Sequence, residues 1–206
     1  MKKLIIAILI ACCLWFLMFS PWTSHYFNFW IAMLFSASTL LFLSFTLKKA
    51  WEKEFRFDSK SILLGVVSAG LLWVIFYIGD YLSALLFDFA KTQVSSIYDL
   101  RNGSKYSWIA LALFFVIGPA EVIFWQGFVQ SELMQRYGDW RGFIGTTIIY
   151  SLVHIFSFNF MLIMAALVCG SFWGFMYMLF NPRNLVPILI SHALWDVMVF
   201  ILFPIL

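Results

Sequence analysis

The sequence predicts an all-α fold: a polytopic membrane bundle of about seven transmembrane helices. Three observations carry that expectation. Of 206 residues, 64% are hydrophobic and 11% charged, and the mean hydropathy is +0.95. A water-soluble domain of this size could not hide so much apolar surface. Five or more apolar runs are long enough to read as membrane-crossing helices. The basic residues collect in short segments between those runs, as loops at a bilayer surface require. Helices follow because, in lipid, every backbone polar group must be satisfied within the protein.

Taken in order, the expected spans are 4–20, 27–47, 61–88, 107–131, 143–157, 159–180 and 184–206. The first opens "MKKLIIAILIACC", and Lys-Lys before an apolar run resembles a signal peptide. The run before Cys12 is very short, however, and "LWFLMF" continues it without a polar break, so an uncleaved first span is expected. The third span is long enough to be tilted or broken, and a break would make eight helices. The segment "DFAKTQVSSIYDLRNGSK" after it can hold a short interfacial helix. The fifth span is short and would need shielding by its neighbours. No internal repeat and no low-complexity segment is visible.

Charge placement sets the expected orientation. With the N-terminus cytoplasmic, the inner segments hold Lys2, Lys3, Lys48, Lys49, Lys53, Arg56, Lys60, Arg136, Arg141 and Arg183. These are ten of the thirteen basic residues, which fits the positive-inside rule and an odd number of spans. The C-terminus is then expected outside. The net charge of +3 is spread through loops, where lipid headgroups account for it, and nucleic acid is not an expected partner. Cys12, Cys13 and Cys169 lack metal-ligand spacing and read as buried small hydrophobes in apolar spans.

Five ionisable residues interrupt the spans: Asp80, Glu121, His154, His192 and Asp196. Counted from the nearest inner basic residue, Glu121, His154, His192 and Asp196 lie roughly 14–22 Å into the bilayer. Three helices thus bring them to one level. Each charge at that depth costs about 2.5–3.5 kcal/mol on insertion scales, so a paired cluster facing the bundle interior is expected. His192 and Asp196 are four apart and share one helix face, as do Tyr150 and His154. Asp80 either lines the same cavity or caps a break after Gly79, with a structural role favoured.

Such a cluster has three chemical uses. A buried carboxylate beside an imidazole can activate water as a general base, with His192 donating to a developing oxyanion. A zinc ion is the second use. No cofactor is predicted, but if zinc binds, its ligands would be Glu121, His154 and His192. Buried Asp, Glu and His also serve proton-coupled transporters, although no inverted repeat supports that use here. A structural polar knot is the alternative to all three.

The stretches "AEVIFWQGF", "QRYGDWRGFIGTTIIYSLVH" and "ISHALWDVMVF" resemble the three motif regions of the CAAX protease and bacteriocin-processing family (CPBP, or Abi). These are intramembrane proteases that include the type II CAAX prenyl endopeptidase. The resemblance covers roughly residues 107–206, so residues 107–206 would be the catalytic helices. Residues 1–106 would supply N-terminal spans and a basic cytoplasmic loop, all within one integral membrane domain. It implies that Glu121 and His154 activate water while His192 and Asp196 serve the oxyanion. Asp196 stands where the family often has Asn. An ionised Asp would repel an oxyanion, so Asp196 would act as a neutral acid or as the orienter of His192.

The first family motif is E-E-x-x-x-R, whereas this chain has Val122 and Gln126 at the second Glu and the Arg. Loss of both members of a buried ion pair can be near neutral, whereas loss of one strands a charge at roughly 3–5 kcal/mol. The expected function is an intramembrane endopeptidase acting on a peptide or protein substrate at the membrane. The alternative is a catalytically silent member that acts in immunity or partner binding. The compact chain and lysine-led N-terminus suggest a bacterial cell membrane.

Overall fold

The computed structural model describes residues 1–205 except 50, 52, 53, 181 and 182. Lys53, counted above among the inner basic residues, lies outside the described residues, as does Leu206 at the end of the last expected span. The described residues form eight longer helices, with short 3-10 turns at Ser24–Tyr26 and Ile155–Ser157. The helices are α1 (Lys2–Phe19), α2 (Phe29–Leu47), α3 (Ser59–Leu86), α4 (Ala90–Asp99), α5 (Tyr106–Tyr137), α6 (Asp139–Leu152), α7 (Phe160–Leu179) and α8 (Val186–Leu202).

Helices α1, α2, α3, α5 and α7 are each long and apolar enough to cross a bilayer. The shorter apolar helix α8 and the 14-residue α6 lie where the other two spans were expected. Helix α4 is the short extra helix anticipated after the third span. Helix α3 runs unbroken through Gly79 and Asp80, so the eight-span variant does not occur. At 28 residues it measures roughly 42 Å, longer than a ~30 Å hydrocarbon core. Helix α6 has 14 residues, only about 21 Å, and it ends at Leu152 rather than 157. His154 therefore sits in the turn just beyond the helix.

Local chemistry explains the helix starts. Asn28 Oδ1 accepts from Trp30 N and Ile31 N, at 3.1 and 3.2 Å, to cap α2. Asp58 Oδ1 accepts from Ser61 N at 2.8 Å to cap α3, and this bond holds the exposed Asp58 carboxyl below its ordinary range. Asn159 caps α7 through Leu162 N at 2.9 Å. Pro187 lies in the first turn of α8, where a missing N–H costs nothing. Gly138, with φ of +88°, makes the sharp corner between α5 and α6.

Close packing rather than hydropathy arranges the helices, because lipid is as apolar as the core. Helix α3 lies along α8, and α6 along α7. The first of these contacts is tight at Gly65, where a Cβ would come within 2.7 Å of Ile190 Cβ and 2.8 Å of Pro187 O. In α1 the buried residues Leu4, Ala7, Ala11, Trp15 and Met18 form one stripe at helical spacing. Cys12 is half-buried and Cys169 buried, but Cys13 is exposed on the face away from that stripe. The expectation of three buried cysteines is corrected there.

The loops fall into two groups. At one end, Arg183 meets Asp139 at 2.9 Å, while Asn184 bonds the Arg56 backbone in both directions at 3.1 Å. At the other end, Trp30 Nε1 donates to Leu100 O at 2.8 Å and Arg101 to Phe200 O at 2.7 Å. Three of the basic segments therefore share one end of the bundle.

Candidate active site

Helix α5 is the frame of the site. It contains two stretches of wide, i→i+5 turns, at Leu113–Ile117 and Ile123–Gln130. Between them is a five-residue α-helical piece, Gly118–Val122, that carries Glu121. A wide turn holds an extra residue and so changes which face the side chains beyond it present; such turns recur at functional sites. Gly118 opens the approach to α8. A Cβ there would lie 3.2 Å from both Ala193 Cα and Asp196 Oδ2, so Asp196 rests against the turn that holds Glu121.

Glu121, His154, His192 and Asp196 are all buried, at 6%, 7%, 5% and 5% exposure. All four line one cavity of about 490 Å³, together with Tyr150 and Asp80. The rest of its wall is mainly apolar and includes Phe19, Trp30, Phe76 and Trp195. Convergence of the four residues on the bundle interior is thus observed. Burial without partners would be costly for each of them, so their contacts decide what they can do.

Glu121 Oε2 accepts a hydrogen bond from the Tyr150 hydroxyl at 2.9 Å. His154 does not pair directly with Glu121. Its Nε2 lies 3.0 Å from Trp15 Nε1, and its Nδ1 lies 2.9 Å from Tyr150 O. An indole N–H can only donate, so Nε2 accepts and Nδ1 carries the proton given to the Tyr150 carbonyl. The rings of Tyr150 and His154 also meet edge to face at 5.5 Å. Tyr150 is therefore the link between the glutamate and the histidine.

His192 and Asp196 share a face of α8, as their spacing predicts, with Nε2 3.6 Å from Asp196 Oδ2. That contact is longer than a hydrogen bond. Trp173 stacks flat on the imidazole at 3.8 Å and 19° and is itself held by Ser191 Oγ at 3.1 Å. His192 Nδ1 is buried without a hydrogen-bond partner. Asp80 also lines the cavity, but it pairs with Lys91 at 2.6 Å and caps no break. The capping role favoured for it is corrected, because α3 runs unbroken through Asp80 and the residue lines the cavity instead.

Among the described residues, no three His, Cys, Asp or Glu side chains are grouped as metal ligands. With both nitrogens of His154 already engaged, the set Glu121, His154 and His192 does not fit a zinc ion as arranged. Val122 is fully buried in the core and Gln126 is buried beside it, so neither altered motif position introduces a stranded charge. Trp15 and Trp173 were not picked out from the sequence. An aromatic residue in an apolar span reads as packing, and only the fold brings each of them to a histidine.

Lys48 departs furthest from expectation. It was counted among the loop lysines that face lipid headgroups, yet it is only 9% exposed. Its ammonium pairs with Glu54 inside the protein. Burial pushes its pKa below the ordinary lysine range, with the Glu54 contact opposing that shift.

Comparison with known proteins bears on the same half of the chain. Residues 103–198 match the family model described as type II CAAX prenyl endopeptidase Rce1-like. The match spans all four buried site residues and agrees with the resemblance carried by the three motif regions. No curated protein and no solved structure matches the chain.

Proposed function

We propose that this multi-pass membrane protein, whose residues 103–198 match the type II CAAX prenyl endopeptidase Rce1-like family model, is an intramembrane endopeptidase. It hydrolyses a peptide bond of a membrane-associated substrate, using water activated by Glu121. One observation carries the proposal. The buried side chains of Glu121, His154, His192 and Asp196, from distant parts of the sequence, line a single cavity.

The roles follow from the contacts. Tyr150 holds Oε2 of Glu121, which leaves the other oxygen to take a proton from water. The hydroxide attacks the peptide carbonyl carbon, and the carbonyl electrons move onto its oxygen. His192, whose Nδ1 has no partner within the protein, donates to that oxyanion. Collapse breaks the C–N bond, and Glu121 passes its proton to the leaving nitrogen. His154 serves Glu121 indirectly, by fixing the Tyr150 backbone that aims the phenol. Asp196, four residues from His192, orients its ring. With the N-terminus cytoplasmic, the end of the bundle that gathers the basic loops faces the cytoplasm.

The second reading is a catalytically silent member that binds a partner or gives immunity. The absence of a direct Glu121–His154 hydrogen bond and the two satisfied nitrogens of His154 favour it. New protein N-termini in membranes carrying wild type or Glu121→Gln, at matched expression, separate the two readings. Termini present only with wild type establish proteolysis and identify the substrate. Identical profiles, with the variant folded and abundant, move the assignment to the silent scaffold.

A further inference from the structure

Lys48 lies just past the end of α2, far in sequence from the motif regions, and its ammonium group is fully used. An ammonium has three N–H donors, and Lys48 Nζ has three acceptors: Glu54 Oε1, Gly127 O at 2.6 Å and Ser131 Oγ at 3.2 Å. The Trp51 ring covers it at 4.5 Å, and Trp51 Nε1 donates to Lys48 O at 2.9 Å. Gly127 makes this approach feasible, since a Cβ there would come within 2.7 Å of the Trp51 ring and 2.9 Å of Leu185.

The bond to Gly127 O falls on the wide-turn stretch of α5. In a regular α-helix the Ser131 N–H would close on Gly127 O, four residues back. Here it reaches Gln126 O, five back, and Phe128 O. The carbonyl it bypasses is the one that Lys48 occupies. Restoring the α-helical register would drop one residue from the turn. That would rotate the helix before it by about 100° relative to the helix after it. Glu121 lies in the part that would rotate. Glu54 extends the same link to the other helices of the site. Its backbone O accepts from Leu185 N at 2.8 Å, at the start of α8, and its Oε2 accepts from Tyr177 of α7 at 3.2 Å.

We propose that Lys48 and Glu54 form a positioning pair, in which Lys48 holds the Ile123–Gln130 turn of α5 wide and thereby aims Glu121 at Tyr150 and the cavity. As a statement about catalysis this rests on the hydrolase reading above; as a statement about the aim of Glu121 it stands without it.

The test uses full-length protein in lipid nanodiscs. Lys48→Met alone strands the Glu54 charge and risks unfolding, so the informative variant is Lys48→Met with Glu54→Gln, which removes both charges together. Lys48→Arg is the conservative control. Two quantities are read: the infrared carboxyl absorption of Glu121, identified as the band lost in Glu121→Gln, and cleavage kinetics. The expected result is a double variant as thermally stable as wild type, in which the Glu121 band moves to a new position. Its kcat falls tenfold or more with KM within twofold, while Lys48→Arg keeps the wild-type band and most of the turnover. A double variant with the wild-type band and wild-type turnover overturns the proposal, since the pair would then matter only for stability. A band that moves in a protein whose wild type cleaves nothing supports the positioning role and sinks the hydrolase reading instead. A band that stays in place sinks the positioning role whether or not the protein cleaves.

Discussion

Tyr150 donates its hydroxyl hydrogen to Glu121 Oε2 across 2.9 Å, joining α6 to α5 inside the cavity. The bond supplies one partner to a carboxyl group that apolar walls otherwise surround. It also divides the labour of the two glutamate oxygens, one held and one available.

Tyr150→Phe removes that bond and little else. It leaves a buried acceptor unpaired, which costs about 1–3 kcal/mol of stability. Loss of aim is expected to lower kcat by about tenfold, equivalent to ~1.4 kcal/mol in the barrier, with KM little changed. Thermal denaturation and steady-state cleavage measure the two effects separately. Unchanged kcat with reduced stability would restrict Tyr150 to a structural role.

Trp15 sets the tautomer of His154. With the indole donating to Nε2 at 3.0 Å, the imidazole proton is held on Nδ1. Trp15→Phe removes the donor and leaves Nε2 a buried, unpaired acceptor, at a cost of about 1–3 kcal/mol. Nitrogen NMR of the His154 ring is expected to show the wild type as the Nδ1–H form and the variant as a mixture. A mixture already present in wild type would contradict the bond.

Two glycines of α3 separate packing from propensity. Gly65 meets Ile190 and the Pro187 carbonyl at less than 3 Å from an added Cβ, whereas Gly70 has nothing within 4 Å. Gly65→Ala pushes α3 from α8 and is expected to cost about 1–3 kcal/mol. Gly70→Ala is expected to gain roughly 0.5–1 kcal/mol by restricting the backbone. Unfolding of each variant in detergent gives the comparison, and equal effects would mean that α3 and α8 are not closely packed.

Asp80 tests the transporter alternative. Its partner Lys91 is 50% exposed while Asp80 is 13% exposed, and solvent at the lysine end screens the pair to about 1 kcal/mol. Asp80→Asn is therefore expected to leave stability nearly unchanged and cleavage within twofold of wild type. A proton-coupled current in vesicles that disappears in this variant would favour transport and count against proteolysis.

Much of the architecture was legible because hydropathy and helical spacing are local properties. The order of the long apolar helices, the added helix after the third, and the shared face of His192 and Asp196 all follow from short stretches. The convergence of Glu121, His154 and His192 on one cavity was expected from their similar distances along the chain from basic segments. Span ends were less visible. The end of α6 at Leu152 was missed because Val153, Ile155 and Phe156 after it are as apolar as a helix interior.

The sequence by itself determined the fold class, the order of the long apolar helices and which buried polar residues interrupt them. The rotation of each helix about its axis was decided only in the tertiary structure. That rotation brings Tyr150 rather than His154 to Glu121, Trp15 to His154, and Lys48 inside to Gly127. The physical reason is that a lipid-facing apolar residue and a core-facing one are in equally apolar surroundings, so hydropathy cannot tell them apart. Close contacts at glycines and the wide turns of α5 choose between the two, and both depend on parts of the chain far away in sequence.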